Sequence, residues 1–127
     1  MSLPLWLLVA LGGALGALAR YGSNNLTAAW LGTAFPFHTV IVNVLGCFLM
    51  GILVGIGAHL ATINEAMRAF LVIGILGGFT TFSAFSLDVL DLAGRGHYAA
   101  AAGYVGLSVI CSLLAAFAGL ALVRMWA

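Results

Sequence analysis

Long stretches without a charged residue are the feature that most constrains how this chain can fold. No Asp, Glu, Lys or Arg occurs in residues 21–64 or in residues 96–123. Charged residues make up 6% of the sequence and hydrophobic residues 65%, whereas a typical soluble domain has about 25% charged residues. A chain of 127 residues cannot enclose that much apolar surface in a core, so the excess must face lipid. The sequence therefore predicts an integral membrane protein.

Four segments are long enough to cross the hydrocarbon as helices, which takes about 20 apolar residues each. The predicted spans run over residues 3–20, 38–59, 69–91 and 99–123. Between the first two spans, the polar residues 22–27 and the Phe35-Pro36-Phe37 segment predict interruptions at the membrane interface, because the residue before proline avoids the helical region. The other connections are short. We predict one all-α domain of four transmembrane helices.

The arginines do not favour either orientation of such a chain. With four spans, Arg68 and Arg124 fall on one side of the membrane. Arg20 and Arg95 fall on the other side. The excess of positive charge that normally marks the cytoplasmic side is therefore missing. We interpret the balance as insertion in both orientations; the alternative is that four arginines are too few and another signal decides.

Paired glycines predict that the helices approach one another closely. Three Gly-x-x-x-Gly motifs each place two glycines on one helix face, where backbones can meet. The pairs are Gly12 and Gly16, Gly51 and Gly55, and Gly74 and Gly78. Because four such helices enclose little space, a transport function would need a partner, most economically a second copy of the chain.

The third span contains a segment that is a poor helix. Residues 77–81 read Gly-Gly-Phe-Thr-Thr, and glycine and threonine are both unfavourable in a helix interior. We predict a break there, in the middle of the membrane. Carbonyl groups freed by a break cannot face lipid, so they must be buried in protein, line a cavity or coordinate a cation.

Polar side chains within the second and fourth spans are candidates for a permeation path, because such groups normally face protein or water. Asn43 shares a helix face with Thr39; its amide either makes an interhelical hydrogen bond or offers an N–H to an anion. Tyr104, Ser108 and Ser112 recur every four residues and form a hydroxyl stripe. The stripe indicates either a path or serines that bond to their own helix.

Two aromatic rings follow the predicted break. Phe82 and Phe85 are three residues apart and share a helix face. Aromatic rings are positive at their edges, so they can hold an anion edge-on, although core packing is the ordinary role of such residues. Asp88 and Asp91 lie near the end of the same span, where they either shape an entrance or, as we expect, are solvated caps.

Three motifs resemble those of the small fluoride channels called the Fluc or CrcB family. They are GGALGALARY at residues 12–21, TVIVNVLGCFLMG at residues 39–51 and GGFTTFSAF at residues 77–85. Together with the length and the four spans, the resemblance covers nearly the whole chain. Two departures are His38, where the family usually has glycine, and Ala84, where it usually has threonine.

The resemblance implies a homodimer of two oppositely inserted subunits in the bacterial inner membrane, with two fluoride pores and a structural sodium ion at its centre. The main-chain carbonyls of Gly77 and Thr80 from both subunits would hold the sodium. Arg20 would lie in a vestibule and attract anions. The fluoride path would comprise Asn43, Phe82, Phe85, Tyr104, Ser108 and Ser112. The implied role is passive export of fluoride.

Other classes of function fit the sequence less well. It contains no nucleophile–base pair, phosphate-binding loop or metal-ligand cluster, so we predict no enzyme. Without lysine and with only four arginines it offers no basic surface for nucleic acid. The main alternative is a small dual-topology drug exporter driven by protons, which needs a carboxylate within the membrane. A structural subunit without transport activity is a third possibility.

Overall fold

The computed structural model describes residues 2–127, and the described chain is helical. The helices are α1 (Leu5–Leu31), α2 (Phe37–Leu60), α3 (residues 65–79), α4 (Phe82–Gly94) and α5 (Tyr98–Trp126). Four helical stretches are long and apolar enough to cross a membrane, and α3 and α4 together form the third. The predicted all-α architecture with four long apolar helices is confirmed.

The first helix is longer than the sequence predicted. α1 continues past Arg20 and through residues 22–27 to Leu31, and it ends at Gly32, whose φ of 75° lies in the left-handed region. The interruption predicted at residues 22–27 was therefore wrong. Glycine, serine and asparagine each cost a helix only about 1 kcal/mol or less, which a continuing run of helical hydrogen bonds offsets. At about 1.5 Å per residue the helix has length to spare beyond a hydrocarbon core of roughly 30 Å.

Glycines mark the two helix pairs that pack most closely, α1 with α3 and α2 with α5. A Cβ atom added to Gly12 would overlap the carbonyl oxygen of Phe70 on α3. A Cβ added to Gly51 would overlap the carbonyl oxygen of Ala116 on α5. Both pairs thus bring backbone against backbone, as the spacing of the glycines predicted.

Much of α3 is wound as a π-helix, which the sequence did not predict. The π-helical turns cover Arg68–Leu76, and their hydrogen bonds join residues five apart. Asn64 caps the start of α3, and its side chain accepts the N–H of Met67 at 2.8 Å. Irregular backbone therefore begins well before the Gly-Gly-Phe-Thr-Thr segment.

Regular helix is absent from two residues between α3 and α4. Thr80 (φ −81°, ψ 156°) and Thr81 (φ −154°, ψ 121°) have extended backbones. The side chain of Thr81 then caps α4 by accepting the N–H of Ala84 at 3.1 Å. Such a cap satisfies one of the N–H groups that the start of a helix leaves free.

The buried core is small. One cluster of buried residues, on α2, α4 and α5, comprises Val40, Phe85, Leu92, Ala101 and Tyr104. Val42, Ala69, Leu76 and Phe79 are also buried. Many large apolar side chains remain on the outside of the bundle. Lipid or another protein surface must cover them, as expected for a membrane protein.

Candidate functional site

A cleft of about 310 Å³ opens beside the extended residues, between α2, α4 and α5. It brings together five of the six residues that the sequence predicted for an anion path. Its lining comprises Asn43, Cys47, Thr80, Thr81, Phe82, Phe85, Ser108, Val109, Ser112 and Leu113. The surface is mostly apolar and carries one amide and several hydroxyl groups.

Asn43 binds the extended backbone with both ends of its amide. Its Nδ2 donates to the carbonyl of Thr81 at 2.9 Å, and its Oδ1 accepts the N–H of Thr81 at 2.8 Å. The interhelical hydrogen bond considered from the sequence is therefore present. An asparagine amide has two N–H groups, so Asn43 retains a second donor beside the cleft.

Two backbone carbonyls lose their helical N–H donors to side-chain acceptors. In a continuous helix the N–H of Thr81 would donate to the carbonyl of Gly77, but it donates to Asn43 instead. Likewise, the N–H of Ala84 would donate to the carbonyl of Thr80, but it donates to the hydroxyl of Thr81. The carbonyls released are those that the resemblance assigns to a cation. Residues 2–127 contain no group of three or more His, Cys, Asp or Glu side chains that could hold a metal ion.

The two phenylalanines on α4 are in contact but have different surroundings. Their ring centroids are 5.3 Å apart and the ring planes are tilted by 45°. Phe85 is 8% exposed and packs in the core, whereas Phe82 is 76% exposed. Packing within the subunit therefore accounts for Phe85 and does not account for Phe82.

The hydroxyl stripe divides into two parts. Ser108 and Ser112 line the cleft, whereas Tyr104 is absent from its lining. Within the described residues the hydroxyl of Ser108 is buried and has no hydrogen-bond partner, so it does not bond to its own helix. Tyr104 is fully buried and donates its hydroxyl proton to Asp88. A place for Tyr104 on an anion path stays a prediction.

The two carboxylates near the end of α4 have unlike partners. Asp91 is exposed and pairs with Arg95 at 2.8 Å, as expected. Asp88 is only partly exposed, so the expectation of a fully solvated carboxylate does not hold for it. Its Oδ2 accepts the hydroxyl protons of Thr39 at 2.6 Å and Tyr104 at 2.8 Å. Its position on α4 turns it toward α2 and α5, where two buried hydroxyls are available.

Sequence reasoning missed the role of Asp88, although a signal was present. Asp88 lies three residues after Phe85, on the helix face that meets the rest of the subunit. Thr39 lies four residues before Asn43, which also contacts the third span. Together these two spacings place Thr39 and Asp88 on facing surfaces.

Arg20 lies within α1, partly exposed, and outside the cleft. In the described chain the only ion pair joins Arg95 and Asp91, so Arg20 has no carboxylate partner. A charge of this kind can attract anions. Its predicted place in a vestibule is not tested by the geometry of one subunit.

The fold and the cleft define a small four-helix membrane protein with an open, mostly apolar cleft that carries a few polar groups, a description that fits a membrane channel. The family model described as "CrcB-like protein, Camphor Resistance (CrcB)" matches residues 7–120. The chain belongs to this family, which confirms the resemblance found in its motifs.

Three relatives show how closely the chain matches. The fluoride-specific ion channel FluC of Rhodospirillum centenum is 55% identical over 118 residues, covering 93% of this chain and 94% of the relative. The protein of the same name from Cereibacter sphaeroides is 56% identical, with 93% of both chains covered. That of Rhodopseudomonas palustris is 50% identical over 119 residues, covering 94% and 96%. These names describe an ion channel and not an enzyme.

Proposed function

We propose that this chain is a fluoride-selective ion channel of the bacterial inner membrane, through which fluoride leaves the cell passively. Relatives that match at 50–56% identity over nearly their whole length carry the name of such a channel. The chain has the four apolar helices of a multi-pass membrane protein. Channel function requires hydrogen-bond donors along a route through those helices, and the cleft brings one amide and several hydroxyl groups close together.

The observation that carries the proposal is the set of donors that meet in the cleft. Fluoride is small and strongly hydrated, so a selective route must replace its water with closely placed donors. The spare N–H of Asn43 and the unpartnered hydroxyl of Ser108 are such donors, and Ser112 adds another hydroxyl. The positive edges of Phe82 and Phe85 complete the set. No member of the set has to gain or lose a proton.

The shape of the cleft favours a second copy of the chain as its missing wall. Polar groups cannot face hydrocarbon without a large cost, yet the cleft is open and the neighbouring Phe82 ring is largely exposed. A symmetric dimer would close both clefts at once and form two pores. Since the arginines are balanced, we propose that the two subunits insert in opposite orientations.

Opposite insertion makes a prediction that does not depend on conduction. Reporters fused to the C-terminus should appear on both faces of the membrane in similar amounts. Adding two lysines to the Gly94–His97 connection should shift the whole population to one face. A C-terminus found on one face only in the parent chain would rule out dual insertion and leave the channel proposal intact.

We also propose that a structural sodium ion binds at the centre of the dimer. The third span is then broken in mid-membrane at Thr80 and Thr81, and the carbonyls of Gly77 and Thr80 from both subunits serve as ligands. Their helical donors are taken by Asn43 and Thr81, which leaves oxygen atoms free. Hard cations prefer oxygen ligands. The ion would join the subunits and neutralise the carbonyl dipoles, and conduction needs no step on it.

Fluoride efflux from liposomes that contain only this protein tests the proposed function. A channel should release fluoride down its gradient at a rate independent of an imposed proton gradient. A proton-coupled drug exporter should release little fluoride and should respond to that gradient. A structural subunit should give no flux, and this outcome would overturn the proposal.

A further inference from the structure

Asp88, a carboxylate near the cleft, is hydrogen-bonded to side chains of two other helices. Asp88 uses a single oxygen, Oδ2, to accept protons from Thr39 on α2 and Tyr104 on α5. Thr39 is 1% exposed and Tyr104 is 0% exposed. The three side chains therefore join α2, α4 and α5 through partly buried hydrogen bonds. None of the three lines the cleft.

Tyr104 connects this cluster to one of the pore rings. The Tyr104 and Phe85 centroids are 5.3 Å apart with the planes at 34°. The Tyr104 ring also contacts Phe35 edge-on, with centroids 5.6 Å apart and an angle of 86° between the ring planes. A tyrosine ring packed between two others and anchored by its hydroxyl has little freedom to turn. It therefore restricts the Phe85 ring that packs against it.

The angle of the Phe85 ring matters because aromatic rings are electrostatically uneven. The ring edge is positive and its faces are negative, so a ring that turns would present the repulsive surface to an anion. A donor set held in place before the ion arrives binds better than one that must reorganise. Whatever fixes this ring therefore contributes to conduction without touching the ion.

We propose that Asp88 is a positioning residue for fluoride conduction: its carboxylate anchors the Tyr104 hydroxyl, and the Tyr104 ring sets the angle of Phe85. This inference rests on the proposed fluoride path. Asp91 supplies a matched control, because it lies on the same helix and is exposed, and it pairs only with Arg95.

Paired substitutions separate hydrogen bonding from charge. In Asp88→Leu the anchor is lost, and fluoride efflux per dimer should fall about tenfold, equal to about 1.4 kcal/mol and to one ordinary hydrogen bond. Asp88→Asn keeps an acceptor oxygen and should remain within about twofold of the parent. Asp91→Leu should conduct like the parent. Tyr104→Phe keeps the ring and deletes the hydroxyl, so it should match Asp88→Leu, and the double variant should lose no more.

A spectroscopic measurement reports the ring itself. meta-Fluorophenylalanine incorporated at Phe85 carries its fluorine off the axis about which the ring turns, and it should give one narrow fluorine NMR line in the parent and in Asp88→Asn. The line should shift or broaden in Asp88→Leu and in Tyr104→Phe, because the ring then samples more than one angle. A role of Asp88 in stability alone would leave the line of the folded dimer unchanged.

The outcomes distinguish this inference from the proposed function. If the parent releases no fluoride, the channel proposal fails. If the parent conducts and folded Asp88→Leu dimers conduct equally with an unchanged Phe85 line, only the positioning role is overturned. It is also overturned if Asp88→Asn loses as much flux as Asp88→Leu, because charge would then be the cause. If Asp88→Leu does not fold, Tyr104→Phe decides the question. A parental fluoride efflux rate together with a parental Phe85 NMR line in Tyr104→Phe would overturn the positioning role.

Discussion

The two faces of the third span are packed in opposite ways. Toward α1 the span is closed by backbone contact: Gly12 lies against Phe70, and a Cβ at Gly16 would overlap the carbonyl oxygen of Ile75. Toward α2 and α5 it is held by hydrogen bonds, including both bonds of Asn43 to Thr81, and it borders an open cleft. One face thus shapes the fold, and the other leaves polar groups beside an open cleft.

This contrast predicts that substitutions on the two faces will fail differently. Changes at the closed face should cost stability and leave the conduction of surviving dimers unaltered. Changes at the open face should cost conduction or dimerisation and leave the subunit folded. Substitutions at Gly77, at the two rings and at Gly16 test the contrast, in order of decreasing effect on fluoride flux.

Gly77→Leu should have the largest effect. Inside the subunit a Cβ at Gly77 would meet only the carbonyl oxygen of Val72, at an ordinary contact distance of 3.8 Å, so the fold should tolerate the leucine. In the proposed dimer the side chain would enter the cation site between subunits. We expect efflux to fall to background, with monomers in gel filtration or a dimer that no longer binds sodium.

A control variant and one contrary outcome complete the Gly77→Leu test. Gly103→Leu on α5 is the control, since a Cβ there meets nothing within 4 Å, and it should stay folded. A dimeric Gly77→Leu protein with parental flux would falsify the proposed cation site.

Replacing either pore ring by isoleucine should have an intermediate effect. Isoleucine keeps much of the volume and hydrophobicity of phenylalanine, so a packing role predicts near-normal transport. An anion held by ring edges would lose that contact, and flux should fall about tenfold, equal to about 1.4 kcal/mol. Efflux from liposomes should show the loss for Phe82→Ile and for Phe85→Ile, with the dimer intact.

Methionine variants and a third phenylalanine refine this test. Methionine is polarisable and adaptable, so it should restore more flux than isoleucine at both positions. Phe117→Ile, an exposed ring outside the cleft, should conduct normally. If both ring-to-isoleucine dimers conduct like the parent, the two rings are packing residues and the pore lies elsewhere.

The parts of the molecule that local patterns determine were predictable from the sequence. Apolar length predicted the four spans, and glycine spacing predicted the backbone contact at Gly12 and Gly51. Helical spacing also predicted that Phe82 and Phe85 share a face and that Ser108 and Ser112 do, and both pairs line the cleft. These features depend on helical periodicity, which is a local property of the chain.

The remaining features depend on contacts between distant residues. Nothing in the order of residues 68–76 indicates π-helical winding. The continuity of α1 through residues 22–27 depends on whether helical hydrogen bonds outweigh the low helix propensity of several residues together. Asp88 has the sequence context of a solvated helix end. Its hydrogen bonds instead go to Thr39 and Tyr104, which lie 49 and 16 residues away.

Gly16→Ala should have the smallest effect on conduction and the clearest effect on stability. The added Cβ would overlap the carbonyl oxygen of Ile75, which is backbone and cannot move aside as a flexible side chain would. Overpacking of this kind costs about 1–3 kcal/mol. We therefore expect a lower thermal unfolding temperature and less folded dimer in detergent, with parental flux for each dimer that remains.

Gly13→Ala is the matched control on the same helix, since a Cβ at Gly13 meets nothing within 4 Å and alanine favours the helix. Equal stability of the two variants would show that backbone contact does not close the interface between α1 and the third span. A loss of flux per folded dimer in Gly16→Ala alone would show that the closed face also shapes the pore, and the contrast between the two faces would then fail.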